Sequence, residues 1–118
     1  MTRTTLVTGA RGIERETAIA AAFDPTQTTM VILEGLPDSA SPLNTPDLSG
    51  IRVIRIAPGC VCCSGNLVMR VTLDRTLRHP PAQLYIGLAS ATHLQQIRAF
   101  LSSAPYDALI TLTDDLQV

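Results

Sequence analysis

Thr4-Thr5-Leu6-Val7-Thr8-Gly9-Ala10-Arg11-Gly12-Ile13-Glu14-Arg15-Glu16-Thr17 sets the architecture expected for the rest of the chain. Thr4 to Val7 is a short β-branched and apolar run, which reads as a strand. Gly9 to Gly12 is a glycine-bearing turn, and a helix is expected from Glu14 through Ala18, Ile19, Ala21 and Ala22 to Phe23. Acidic residues in its first turn complement the helix dipole, and Asp24-Pro25 stops it.

The alternation continues outward from that unit. Thr29 to Leu33 is a continuous apolar run, as in a strand buried on both faces. The stretch from Gly35 to Gly50, rich in Pro, Ser, Asp and Asn, reads as a surface loop. Ile51 to Ile56 reads as a third strand, with Arg52 and Arg55 giving it one wetter face. Leu67 to Leu77 has a helical pattern that His79-Pro80-Pro81 ends, and Leu84 to Ile86 is a fourth strand. Thr92-His93-Leu94-Gln95 fits a capping box for a helix whose buried stripe is Ile97, Phe100 and Leu101. Ala108 to Leu112 is a fifth strand, with Asp114-Asp115 just beyond it. Strands alternating with helices predict an α/β fold: three αβα layers around a mostly parallel five-stranded sheet, in one domain over residues 1–118. The working edge of such a sheet is the carboxyl end of its strands. The Gly9–Gly12 turn, the cysteine segment and Asp114-Asp115 are expected there.

Composition narrows the chemistry. A chain of 118 residues is long enough to bury roughly two-thirds of its unfolded surface. Its net charge is −1 with no block of like charges, so neither a nucleic-acid groove nor an anionic-membrane patch is indicated. All nine basic residues are arginine, which excludes any mechanism needing a lysine ammonium from these residues. No signal peptide is expected from Met1-Thr2-Arg3-Thr4-Thr5, and no apolar run approaches the ~20 residues that cross a bilayer. Three cysteines within four positions suit a metal or redox site in a reducing compartment better than a disulfide framework, and the expectation is cytoplasmic.

The first turn stands where a phosphate-binding loop, G-x-x-x-x-G-K-[ST], would stand. Aligned on Gly9, Glu14 occupies the second glycine's place, Arg15 the lysine's and Glu16 that of the magnesium-binding hydroxyl. Two carboxylates there compete with a triphosphate for the helix N-terminus, and the simplest role for Glu14 and Glu16 is to cap it. Arg15 restores one positive charge, as a planar fork rather than a compact ammonium. Gly9, Gly12, Arg15 and Thr17, a hydroxyl one position late, are the candidate nucleotide-binding residues; GTP with Mg²⁺ is disfavoured. The same stretch is similar to the glycine turn of short-chain dehydrogenases, with Glu34 at the place of a ribose-binding acid. That family's Tyr-x-x-x-Lys pair is ruled out by the missing lysine, and dinucleotide binding is disfavoured.

Gly59-Cys60-Val61-Cys62-Cys63 is the more specific signal. Thiolates hold soft and borderline metals, and Cys60 and Cys62 are spaced to share one ion from a tight loop. Engaging Cys63 as well requires a bent loop or the start of a helix. Simple burial of the three thiols, or a redox cluster, is the blander alternative. His79, His93, Glu34 and Asp114 are candidates for a fourth ligand, as is a second copy of the chain.

Followed by Ser64-Gly65-Asn66-Leu67, this segment resembles the G-C-x-C-C motif of the CobW-type GTPases, relatives of the HypB and UreG metal-insertion proteins. The resemblance extends to the order of strands and helices along nearly the whole chain. It implies that Cys60, Cys62 and Cys63 bind Zn²⁺ or a similar divalent metal. The implied partners are the metal ion and a second copy of the chain or a client metalloprotein. The family activity would be GTP hydrolysis, but the pattern departs at several points. The phosphate loop is altered, no Glu-Thr-x-Gly stretch appears at Gly87-Leu88-Ala89-Ser90, and the guanine-selecting Lys-x-Asp element and second domain are not found within Met1–Val118. The expectation is a non-hydrolysing metal-binding relative. The alternatives are a residual GTP- or ATP-binding domain gated through Arg15 and Thr17, and a protein-interaction scaffold without a ligand.

Overall fold

The apolar runs become strands because they alternate between two buried faces. The computed structural model describes residues 2–9, 11–24, 26–35, 51–56, 65–89 and 94–118. Strands β1 (Thr2–Thr8), β2 (Thr29–Glu34), β3 (Ile51–Ile56), β4 (Gln83–Gly87) and β5 (Ile110–Leu112) form one sheet in the order β3-β2-β4-β1-β5, and all their pairings are parallel. A two-residue strand β6 (Leu116–Gln117), which the sequence pattern does not announce, pairs in parallel with the end of β1.

Helix α1 (Gly12–Ala22) joins β1 to β2, α2 (Gly65–Arg78) leads into β4, and α3 (Leu94–Leu101) leads toward β5. From β1 the chain passes over β4 to reach β2. From β3 and β4 it travels the other way, over β2 to β4 and over β1 to β5. Crossovers of one hand must then place α1 on one face and the other two helices opposite. The packing agrees: Val7, Ile19, Val31, Leu33 and Tyr85 cluster with α1, and Leu6, Ile32, Leu73, Leu84, Ile86 and Leu101 cluster with α2 and α3. Adjacent residues of one strand, such as Leu6 and Val7, serve opposite cores, as a period of two requires. The predicted three-layer, P-loop-like arrangement is what the chain adopts.

The direction of crossover reverses between β1 and β4, which makes the crevice beyond their carboxyl ends the natural site. Leu88 N–H closes its floor on the Val7 carbonyl at 2.9 Å. Several boundaries differ from the sequence reading by one or two residues. Helix α1 starts at Gly12 rather than Glu14, and β5 is shorter because a 3-10 turn occupies Tyr106–Ala108. The surface loop read over 36–50 and the capping box at Thr92-His93 lie outside the described residues.

Candidate functional site at the carboxyl edge of the sheet

One arginine ties the end of β1 to the start of α1. Arg11 is the N-cap of α1 and makes no side-chain cap bond; Glu14 lies in the first turn as expected, whereas Glu16 is drawn away to Arg55. Arg15 instead folds back, and its Nη1 donates to the Gly9 carbonyl at 2.7 Å. Only 7% of the residue is exposed. A Cβ on Gly9 would lie 3.3 Å from Arg15 Cγ, and one on Gly12 would lie 3.5 Å from Arg15 Nη2. The side chain therefore spans the turn from one glycine to the other.

Val118 crowds the same position on Gly9. β6 brings Val118 N–H to the Thr8 carbonyl at 3.0 Å, and a Cβ on Gly9 would meet Val118 Cγ2 at 2.5 Å and Val118 O at 3.2 Å. Glycine is required here for close approach, and its backbone φ is not in the left-handed region.

Glu16 does not face the solvent either. It is 4% exposed, and its Oε1 accepts from Arg55 Nη2 at 2.8 Å. Glu16 Oε2 lies 3.8 Å from the position of a Gly12 Cβ, so the same carboxylate flanks the turn. Arg55 is the residue that sequence reading missed. Arg52 and Arg55 are three apart in a strand, an odd spacing that sends them to opposite faces. Arg52 is exposed, whereas Arg55 follows Ile51 and Val53 onto the α1 face. The expectation of one wetter face on β3 is thus corrected to one arginine per face. Thr17, the proposed displaced hydroxyl, is exposed, about 100° around the helix from Glu16.

Cys60, Cys62 and Cys63 lie outside the described residues. Their flanks are described: β3 ends at Ile56, and α2 starts at Gly65 and runs back toward the amino end, where β4 begins. Among the fourth-ligand candidates, Glu34 is the one on the neighbouring strand, in register with Ile56. Its Oε1 accepts the Ala89 N–H at 3.2 Å, and Gly35 turns the chain at φ 116°, with its N–H on the Ile56 carbonyl at 3.0 Å.

Two candidates are relocated. His79 follows the end of α2 and is exposed at the amino end, about 20 Å away along the sheet. Asp114 follows β5, four strand spacings or about 19 Å from β3, on the far edge of the sheet from the strand that precedes the cysteine segment. Asp115 is already paired with Arg98. His93 lies outside the described residues. Among the described residues, no three His, Cys, Asp or Glu side chains converge as a metal would need.

The cavities at the amino end, of about 380 and 460 Å³, share Thr28, Pro80 and Pro81 and lie away from this edge. No helix among the described residues is long and apolar enough to cross a membrane.

Across this frame, the chain is 32% identical over 116 residues to the zinc chaperone YeiR of Escherichia coli (strain K12). It is similar to a zinc chaperone. The match covers 95% of this chain but 35% of YeiR, so the chain spans about a third of that relative's length. No family model matches the sequence, and no solved structure matches it.

Proposed function

We propose that this chain is a CobW-type metal-binding domain. Cys60, Cys62 and Cys63 hold zinc or a similar divalent ion, and nucleoside triphosphate is not turned over. The observation that carries the reading is the similarity to a zinc chaperone over 95% of the chain. Three thiolates give zinc three of its usual four ligands and leave one position for exchange. An ion so held can pass to a client by ligand substitution, which is the chemistry of a carrier rather than of a closed structural site. Glu34, on the strand next to β3, or a ligand from a second copy, is the natural fourth donor. The start of α2 at Gly65, two residues after Cys63, favours the thiolate form through the helix dipole. Thiols kept free to bind a metal need a reducing compartment, and the cytoplasm is the one we assign.

The non-hydrolysing part of the proposal rests on the first turn. No lysine exists to bridge the β- and γ-phosphates. The position of the magnesium-binding hydroxyl is a buried glutamate engaged by Arg55.

Titration of the reduced protein with Co²⁺ tests the metal reading. A thiolate-to-cobalt charge-transfer band at one equivalent, displaced by Zn²⁺ and lost when Cys60, Cys62 and Cys63 are all changed to Ser, is the expected result. Absence of the band in the parent chain would end the proposal. Phosphate release from GTP with Mg²⁺ tests the other half, with no turnover expected.

A further inference from the structure

We propose that Arg15 is an internal latch: its guanidinium ties the first turn of α1 to the Gly9 carbonyl and thereby shuts polyphosphate out of the N-terminus of α1. The inference deepens the reading that this turn no longer handles a triphosphate and rests on it.

The first backbone N–H groups of any α-helix lack helical partners and tend to receive an anion. In α1 the N-cap Arg11 supplies no side-chain substitute. A cation waiting for an anion would keep its donor edge open. Arg15 does the opposite: it is 93% buried by its 7% exposure, it donates to the Gly9 carbonyl, and it pairs with no carboxylate among the described residues. Both ends of its path run past glycines, where a Cβ would stand 3.3 Å and 3.5 Å from its atoms. The charge-assisted bond to a carbonyl supports the buried guanidinium in place of a salt bridge. Val118 and Arg15 together fill the space a Gly9 side chain would need.

A latch and a ligand predict opposite signs, which makes the proposal testable with inorganic pyrophosphate and calorimetry on the full chain. Removing a cation weakens anion binding wherever that cation is a ligand. If Arg15 is a latch, Arg15→Ala binds pyrophosphate at least about tenfold more tightly than the parent chain, a difference of about 1.4 kcal/mol. Arg15→Gln, which retains a shorter donor for the Gly9 carbonyl, falls between them. Binding by the parent chain that weakens in Arg15→Ala would make the arginine a ligand and overturn the proposal. So would no binding by either protein, because something else would then close the turn.

Should Arg15→Ala fail to fold, nitrogen-15 spectra of the parent guanidinium decide the matter. Slowly exchanging Arg15 signals that stay put when pyrophosphate is added support the latch, and signals that shift sink it. GTP turnover by the parent chain is read separately. Turnover would sink the underlying reading, whereas its absence together with an unresponsive Arg15→Ala sinks only the latch.

Discussion

The two faces of the sheet are made from alternate residues of the same strands, yet they do different work. Opposite α2 and α3 the packing is aliphatic: Leu6, Ile32, Leu73, Leu84 and Ile86 are fully buried, and Leu101 is nearly so. Opposite α1 the apolar cluster is smaller, and the space toward the carboxyl end is taken by Arg15, Glu16 and Arg55. Apolar burial contributes about 1.5–3 kcal/mol for each fully buried Val, Leu, Ile, Phe or Met side chain, whereas a buried ion pair often only balances its own desolvation. The comparison teaches that stability is concentrated on one face, and that the other tolerates charge because it does not have to hold the fold alone.

The largest effect expected from this contrast is at Leu73. Leu73→Ala should cost about 2–5 kcal/mol in urea unfolding, from lost transfer energy and the cavity left behind. A cost below about 1 kcal/mol would mean that the α2 face is not the thicker core.

Next comes the ion pair of the other face. Arg55→Met strips the guanidinium from a carboxylate whose side chain is 5% exposed, but Arg55 itself is 19% exposed, which softens the loss. A cost of about 1–3 kcal/mol is expected. The double variant Glu16→Gln/Arg55→Met should cost less than the sum of the two single changes, by about 0.5–3 kcal/mol in a double-mutant cycle. Strict additivity would show that Glu16 and Arg55 are neighbours without being coupled.

A smaller effect is expected at Gly9, where the α1 face meets β6. Gly9→Ala places a methyl against Val118, whose exposed side chain can yield but whose carbonyl at 3.2 Å yields less easily. The expected loss is about 1 kcal/mol by thermal unfolding. A neutral result would mean that β6 peels away without cost.

How much of this was legible in the sequence follows from what each feature depends on. β2 and β3 are visible because Thr29 to Leu33 is a continuous apolar run, Ile51 to Ile56 is rich in β-branched residues, and turn residues bound both. β6 is not, because two residues carry no period and owe their pairing to the end of β1. The altered loop is legible residue by residue in Glu14, Arg15 and Glu16. Their partners are tertiary, since Arg55 is thirty-nine positions from Glu16. The one clue was the odd spacing of Arg52 and Arg55, which splits them between faces. The misplacement of Asp114 has a similar origin: residue order says nothing of strand order, and β5 sits at the edge opposite β3.

The finest test of the contrast uses the two tyrosines, because each packs on a different face. Tyr106 lies among the α2 and α3 side chains and donates to Asp74 Oδ1 at 2.9 Å. Burial, then the hydrogen bond to Asp74 and its charge, push its phenol up to about 12. Tyr85, on the α1 face, is also raised by burial, with Arg3 working against the shift. A raised phenol means that the folded chain keeps a proton the unfolded chain has released. That contribution is complete below the ordinary tyrosine range near pH 10 and disappears as pH rises toward 12. Stability should therefore decline over that alkaline window, and Tyr106→Phe should flatten most of the decline while giving up the Asp74 bond. Ultraviolet titration of the phenolates in the Tyr85→Phe variant isolates the Tyr106 transition. If it appears near pH 10 with the fold intact, the α2 side of the sheet is more hydrated than its packing implies, and the contrast between the faces fails where it was expected to be sharpest.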